Sequence, residues 1–178
     1  MKRGGYLKRK TPLRSRPKRP QKRSKIASKG FKPPKWYMAI PTGSHGNTPA
    51  QKRYWKVVSD MVRQRDFKKY KGRCVSCPKR LGSWKDGDAG HYKAWSVCNS
   101  YFKYELTNLA LQCKNCNRAS DGEIGHRFGE ELKRRYGEHH LLWISEENER
   151  WRGVKMETHE IVERVEKLLD ENPEFICP

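Results

Sequence analysis

Two stretches of sequence decide the fold: Cys74-Val-Ser-Cys77, and Asn108-Leu-Ala-Leu-Gln-Cys113-Lys-Asn-Cys116-Asn117. A two-residue gap lets both thiolates of a pair face one point, and two such pairs complete a tetrahedral zinc site. Sulfur then fills all four positions, so the predicted zinc is structural, without an open position for water. Two disulfides or a redox-active Cys-x-x-Cys are the competing interpretations. Cys98 and Cys177 are left over, and we expect both to be unliganded.

The rest of the chain offers little material for a hydrophobic core. Of its 178 residues, 34% are hydrophobic and 34% are charged. A core this poor usually needs a metal or disulfides, and the free energy of zinc binding would substitute for the missing apolar contacts. We therefore expect one small zinc-stabilised domain with a tail.

Positive charge is concentrated at the N-terminus. The net charge is +20, and residues 1–59 contain 18 Lys or Arg and no carboxylate before Asp60. Such a segment favours a polyanionic partner, most commonly nucleic acid, because each cation that neutralises a phosphate releases condensed counterions. A solubilising tail or a localisation signal is the alternative interpretation.

Several classes of protein find no support in the sequence. No stretch is apolar enough to span a bilayer, and no apolar segment follows the N-terminal charges as in a secretory signal. We therefore expect a cytoplasmic protein, located in the host cytoplasm if it is encoded by a phage, with no membrane partner. No Rossmann glycine pattern, phosphate-binding loop or nucleophile elbow is present, so no small-molecule cofactor is expected.

Periodicity predicts three longer helices. The first runs from about Thr48 to Tyr70 and buries one apolar face. The second runs from about Asn117 to Tyr136 and ends at Gly137. The last follows Thr158, its predicted N-cap. The last helix either packs on the domain or supplies a dimer interface.

The remaining segments complete the predicted organisation. Residues 73–115 are expected to form short strands and loops, with a polar loop over 82–90, and residues 141–144 a short strand or a docking segment. Three parts follow: a basic, Pro-rich arm over 1–49, disordered in isolation; a metal-binding domain with its preceding helix over 50–144; and a C-terminal helical region over 145–178.

The 35 residues between the cysteine pairs exceed a usual zinc-ribbon spacer and carry Asp88-Ala-Gly-His91-Tyr. A His in a strand, an Asn before the second cysteine pair and a polar residue opening the next helix form the HNH pattern of metal-dependent nucleases. Here the three positions are His91, Asn108 and Asn117. This pattern predicts phosphodiester hydrolysis, with a DNA strand as the substrate.

The residue types suit that chemistry. A neutral imidazole can accept a proton from water, so His91 is the predicted general base. A hard cation, Mg²⁺ or Mn²⁺, prefers oxygen ligands, which Asp88 and Asn117 supply. Asn108 is expected to fix the His91 loop by hydrogen bonds to the backbone. Alternatively, Asn117 only caps a helix and Asp88 is only a turn residue.

Three further residues are weaker candidates. Lys114 and Arg118 are candidate phosphate contacts, although solvation at the surface is the more common role for either. His126 is a candidate ligand or phosphate contact. His139, His140 and His159 carry no supporting pattern and are expected at the surface.

From Tyr54 to about Gly137, the chain resembles the NinG (Rap) recombination proteins of lambda-like phages. The resembling motifs are Tyr54-Trp55, the first cysteine pair, Asp88-Ala-Gly-His91-Tyr-Lys, Tyr104-Glu-Leu-Thr-Asn108, and Gln112-Cys113-x-x-Cys116-Asn117. The resemblance implies a structure-selective endonuclease acting on branched DNA, including four-way (Holliday) junctions. The arrangement is also similar to the treble-clef core of phage endonuclease VII, whose family uses a His base and an Asn after the last zinc cysteine.

The resemblance implies an α+β fold: a small treble-clef (ββα-metal, HNH) core with flanking helices. The pattern of endonuclease VII has Asp directly before the His, whereas this chain has Gly90 there, so the carboxylate that holds the catalytic metal is either Asp88 or Asp121. Alternatively, Asp121 only caps the following helix. Two opposed nicks at a junction would require a symmetric homodimer. The alternatives are an HNH enzyme of the nicking, homing or restriction type that cuts linear duplex, and a non-catalytic zinc module that binds nucleic acid.

Overall fold

A computed structural model of the chain describes residues 30–119 and 122–175. It is a mixed structure of helices and one small antiparallel sheet, which confirms the predicted α+β class. The helices and strands are α1 (Lys35–Ala39), α2 (Pro49–Lys69), β1 (Gly87–His91), β2 (Leu109–Cys113), α3 (Lys114–Arg118), α4 (Gly122–Tyr136), α5 (His140–Arg150) and α6 (Thr158–Glu171). Short 3₁₀ turns lie at Trp84–Asp86, Phe102–Tyr104 and Leu106–Asn108.

Helix α2 is the central element and occupies nearly the span that the sequence predicts. The Thr48 side chain caps it by accepting a hydrogen bond from the Gln51 amide, and Pro49 occupies its first turn. Beyond its end, Lys71 and Gly72 both have positive φ, which turns the chain sharply into the first cysteine pair. The predicted apolar face of the helix is buried.

The pairing of the two strands fixes the positions of Asp88 and His91. β1 and β2 pair antiparallel, with Asp88 opposite Gln112 and His91 opposite Leu109. The prediction of a polar loop over 82–90 is wrong for residues 87–90, which belong to β1. Gly87 and Gly90 hide the strand pattern, and both are packed so tightly that a Cβ atom would lie 2.7 Å and 2.1 Å, respectively, from atoms of Gln112.

The helical region after the sheet differs from the prediction in three places. The helix expected over 117–136 is divided into α3 and α4, and Gly137, with φ +99°, follows α4 as predicted. Residues 141–144 lie within α5 rather than in a strand, and Leu141 and Ile144 pack in an apolar cluster, as the alternative of a docking segment expected. Glu157, rather than Thr158, caps α6.

Three hydrophobic clusters hold these elements together. The largest joins α2 to α6, the second joins β2 to α4 and α5, and the third surrounds the cysteines. Because Ile161, Val162 and Val165 of α6 are buried in the largest cluster, this face of α6 packs on its own domain. No helix in the described ranges is long and apolar enough to cross a membrane.

The described end of the N-terminal segment packs against the folded domain. Residues 1–29 lie outside the described part, but α1 docks beside α2 through Tyr37, which is 1% exposed. Its hydroxyl donates a hydrogen bond to the Ala50 carbonyl oxygen at 2.7 Å. An aromatic anchor in an otherwise basic and Pro-rich segment explains this local order.

A buried carboxylate ties α2, β2 and α4 together. Asp66 is fully buried and accepts hydrogen bonds from the Leu111 amide at 2.9 Å, from Arg65 Nε at 2.7 Å and from Arg135 Nη1 at 2.8 Å. The side chain of Arg135 is only 2% exposed and lies over the Tyr70 ring at 3.7 Å. Asp66 and Arg135 stabilise each other, because burying a charge without an opposite charge beside it costs free energy.

We predict that Asp66→Ala lowers the free energy of unfolding by about 3–5 kcal/mol, because it leaves the Leu111 amide without this acceptor and leaves the buried Arg135 charge with Glu131 alone. Urea unfolding of the zinc-loaded protein, followed by tryptophan fluorescence, measures the effect. Glu171→Ala is the control, since it breaks an exposed pair with Lys167 and should cost below about 1 kcal/mol. An equally small effect of both substitutions would contradict the prediction.

Candidate functional site

Four cysteines form a candidate metal centre. Cys74 and Cys77 lie in the turn after α2, Cys113 ends β2 and Cys116 lies in α3. Their sulfurs all lie within 4.8 Å of one another, and those of Cys77 and Cys113 are 3.9 Å apart. A tetrahedral zinc with bonds of ~2.3 Å holds its sulfurs ~3.8 Å apart. The four free thiols can therefore hold a metal ion such as zinc.

Cys98 lies apart from this centre. It is buried, and its thiol donates a hydrogen bond to the Lys93 carbonyl at 3.0 Å. Burial raises the pKa of the Cys98 thiol to about 11, which disfavours the thiolate that a metal needs. Cys177, the other cysteine expected to be unliganded, lies outside the described residues.

A cleft of about 490 Å³ opens between α2, β1 and α3. It brings together three predicted residues: Asp88 and His91 from β1, and Asn117 from α3. Asn117 Nδ2 lies 3.0 Å from Asp88 Oδ2, so the two side chains are close enough to share one ligand. Asp121, the other carboxylate considered for the catalytic metal, lies outside the described residues.

The His91 ring is fixed on several sides. It stacks on Trp55 with ring centroids 5.1 Å apart, and it forms a T-shaped pair with Trp95 at a centroid distance of 5.5 Å. Its Nε2 lies 2.9 Å from the Lys103 carbonyl oxygen. A carbonyl can only accept, so Nε2 carries the proton in the neutral ring and Nδ1 keeps its lone pair.

The surroundings of His91 keep it neutral. Burial, helped by the nearby charges of His45 and Lys103, lowers its pKa to about 4, although the hydrogen bond to the Lys103 carbonyl acts in the opposite direction. At neutral pH the imidazole is therefore in the form that can accept a proton.

Asn108 braces the chain that follows His91. It is fully buried; its Oδ1 accepts from the Lys93 amide at 2.9 Å, and its Nδ2 donates to the Lys93 carbonyl at 3.3 Å. Its own carbonyl accepts from the Tyr92 amide at 2.9 Å. Asn108 does not line the cleft, and its hydrogen bonds are of the backbone type that the sequence predicts for it.

Sequence reasoning missed several residues of the cleft. His45 lies at its rim with its ring 5.4 Å from Trp55 and 5.2 Å from Trp95, and no local motif indicates this placement. Lys56 and Arg63 line the cleft from α2, and both pair with the buried Asp60. Their spacing along one helical face is a signal that could have found them.

Three weaker candidates do not join this cleft. Lys114 and Arg118 are exposed on α3 without lining it. His126 lies in a different groove, beside the first cysteine pair.

The fold and the cysteine cluster together define a small α+β protein with a candidate metal centre. The family model described as Bacteriophage Lambda NinG protein matches residues 12–172 of the 178. The chain belongs to this NinG family of recombination-associated proteins of lambda-like phages. A search of the curated proteins and a search of the solved structures found no match.

We predict that the protein binds about one zinc ion per chain, and that Cys113→Ser loses both the metal and the native circular dichroism spectrum. Metal analysis after gel filtration provides the measurement. Cys98→Ser is the matched control, because its hydroxyl can still donate to Lys93 and it should retain zinc. Zinc retention by Cys113→Ser would contradict the assignment.

Proposed function

We propose that this protein is a divalent-metal-dependent DNA endonuclease of the HNH type, built on a treble-clef core, that cleaves branched DNA such as four-way recombination junctions. The observation that carries the proposal is the convergence of a neutral imidazole, a carboxylate and an amide in one cleft. Family membership supports the role in recombination.

His91 is the proposed general base. Its Nδ1 is available because Nε2 is engaged with Lys103, and its low pKa keeps that lone pair free. Proton transfer from water to Nδ1 would generate the nucleophile that attacks the scissile phosphorus. Trp55 and Trp95 hold the ring in one orientation, which reduces the entropic cost of aligning it.

Asp88 and Asn117 are the proposed ligands of the catalytic cation. The donor set fits a hard metal, since a carboxylate and an amide oxygen 3 Å or so apart suit Mg²⁺ or Mn²⁺. Rotation of the Asn117 amide by a half turn brings Oδ1 to the place of Nδ2, beside Asp88. When bound, the cation would neutralise charge on the phosphate and on the leaving 3′ oxygen.

Cations around the cleft would hold the DNA strand. Lys56 and Arg63 are fixed by Asp60, so their positions cost little further entropy on binding. The basic N-terminal segment adds attraction without sequence preference.

We predict metal-dependent nicking that is selective for junctions and that His91→Ala abolishes without loss of DNA binding. A synthetic four-way junction, a linear duplex and a single strand of matched sequence are incubated with Mg²⁺, with Mn²⁺ or without either metal. His139→Ala is the control, because His139 is exposed outside the cleft and its loss should leave the rate within twofold or so.

The same assay separates the two alternatives. Equal cutting of the linear duplex would retain an HNH nuclease but remove the role at junctions. Tight, salt-sensitive binding without any cutting would favour a non-catalytic zinc module.

We predict that the nicking rate stays nearly constant as the pH falls from 7.5 to about 5.5. The lowered pKa means that His91 gains its proton only near pH 4, whereas an ordinary histidine would lose about tenfold of its neutral form by pH 5.5. Initial rates at saturating Mg²⁺ test this, with circular dichroism and zinc content recorded at each pH. A proportional fall in rate beginning at pH 6.5 in the folded protein would contradict it.

A further inference from the structure

A second groove, of about 880 Å³, lies between the first cysteine pair and α4. It shares no lining residue with the catalytic cleft, and the mechanism above does not use it. Its near edge is the segment Lys71–Arg80, which we call the knuckle edge. Within these ten residues the chain carries Lys71, Arg73, Lys79 and Arg80 and no carboxylate.

The knuckle edge places like charges directly opposite one another. Arg73 and Arg80 form an antiparallel β-bridge, so their side chains project on the same face. Like charges in this position destabilise a pair of strands. Both residues are exposed, and neither has an ion-pair partner within the described ranges. An anionic ligand across both guanidinium groups would offset this repulsion.

The far wall of the groove does not cancel that charge. Glu131 is paired with Arg134 and Arg135, and Glu130 is paired with Lys133. Arg127 and His126 also line this wall, and Glu138 is the remaining carboxylate of the lining. Six Lys or Arg and three Glu line the groove, so it keeps a net positive charge, concentrated on its exposed edge, even against the charge of −2 of a zinc held by four thiolates.

We propose that this groove binds the phosphate backbone of a second duplex arm, while the catalytic cleft holds the scissile strand. The proposal rests on the proposed function and adds the surface that would distinguish branched from linear DNA. Exposed guanidinium groups bind phosphates without reading base sequence, which suits a substrate defined by its branching. A branched DNA can place one arm against each of these two surfaces, which have no lining residue in common.

The test is the double variant Arg73→Gln/Arg80→Gln, combined with His91→Ala so that no strand is cut. Fluorescence anisotropy with Ca²⁺ in place of Mg²⁺ measures affinity for a four-way junction and for a matched linear duplex over a series of salt concentrations. Arg152→Gln/Lys167→Gln is the matched control, because it removes the same charge at residues that line neither surface. Zinc content and melting temperature establish that each variant is folded.

We expect the knuckle variant to bind the junction at least tenfold more weakly than the control does, with a salt slope reduced by about two, since each lost phosphate contact contributes about 0.9. The loss on linear duplex should be much smaller. Arg73→Lys/Arg80→Lys keeps the charge and should restore most of the junction affinity.

An equal loss on junction and duplex, or a junction affinity equal to that of the control, would overturn the proposal. These outcomes are distinguishable from failure of the nuclease assignment. A wild-type protein that cuts no DNA would remove the proposed enzyme, whereas the binding comparison would still measure the groove.

Discussion

The convergence of four cysteine sulfurs is the constraint on which the rest of the structure depends. A metal bound by these sulfurs would fasten the turn after α2 to the end of β2 and to α3. Asn117 directly follows the last of these cysteines, and β1 is held to β2 through a register that fixes Asp88 and His91. A metal there would therefore position the cleft without touching it. With only 34% hydrophobic residues, the chain has few other means of holding so small a sheet.

The features that the sequence predicts best are those encoded locally. The spacing within each cysteine pair predicts a shared metal site. Thr48, Pro49 and an apolar face of helical period predict α2. The sequence does not predict all of β1, because two of its five residues are glycines. Close contact with Gln112, rather than strand propensity, explains these glycines. The helical conformation of residues 141–144 could not be predicted, because an apolar run of four residues is too short to show whether its period is 2 or 3.6.

The residues of the candidate site also fall into two groups: those that the local sequence predicts and those that tertiary packing places. Asp88, His91 and Asn117 could be predicted because they lie at fixed distances from the cysteines along the chain. His45 and Trp55 could not, since α2 and the loop before it reach the cleft only through tertiary packing. A side chain at position 90 would meet Gln112, which explains the glycine there, whereas Asp88, two residues earlier on the same face of the strand, is half-buried and lines the cleft.

The aromatic walls of the cleft impose opposing effects on His91. A Trp face stacked on the ring would favour an imidazolium through cation–π attraction, usually by about 0.5–2 kcal/mol. The same wall removes water from the ring, and desolvation disfavours the charge more strongly, which accounts for the low pKa. A base held neutral in this way is weak, because its conjugate acid is strong. As the proposed base, His91 would then need a water molecule whose pKa is lowered by a cation held by Asp88 and Asn117, so the three residues would act only as a unit.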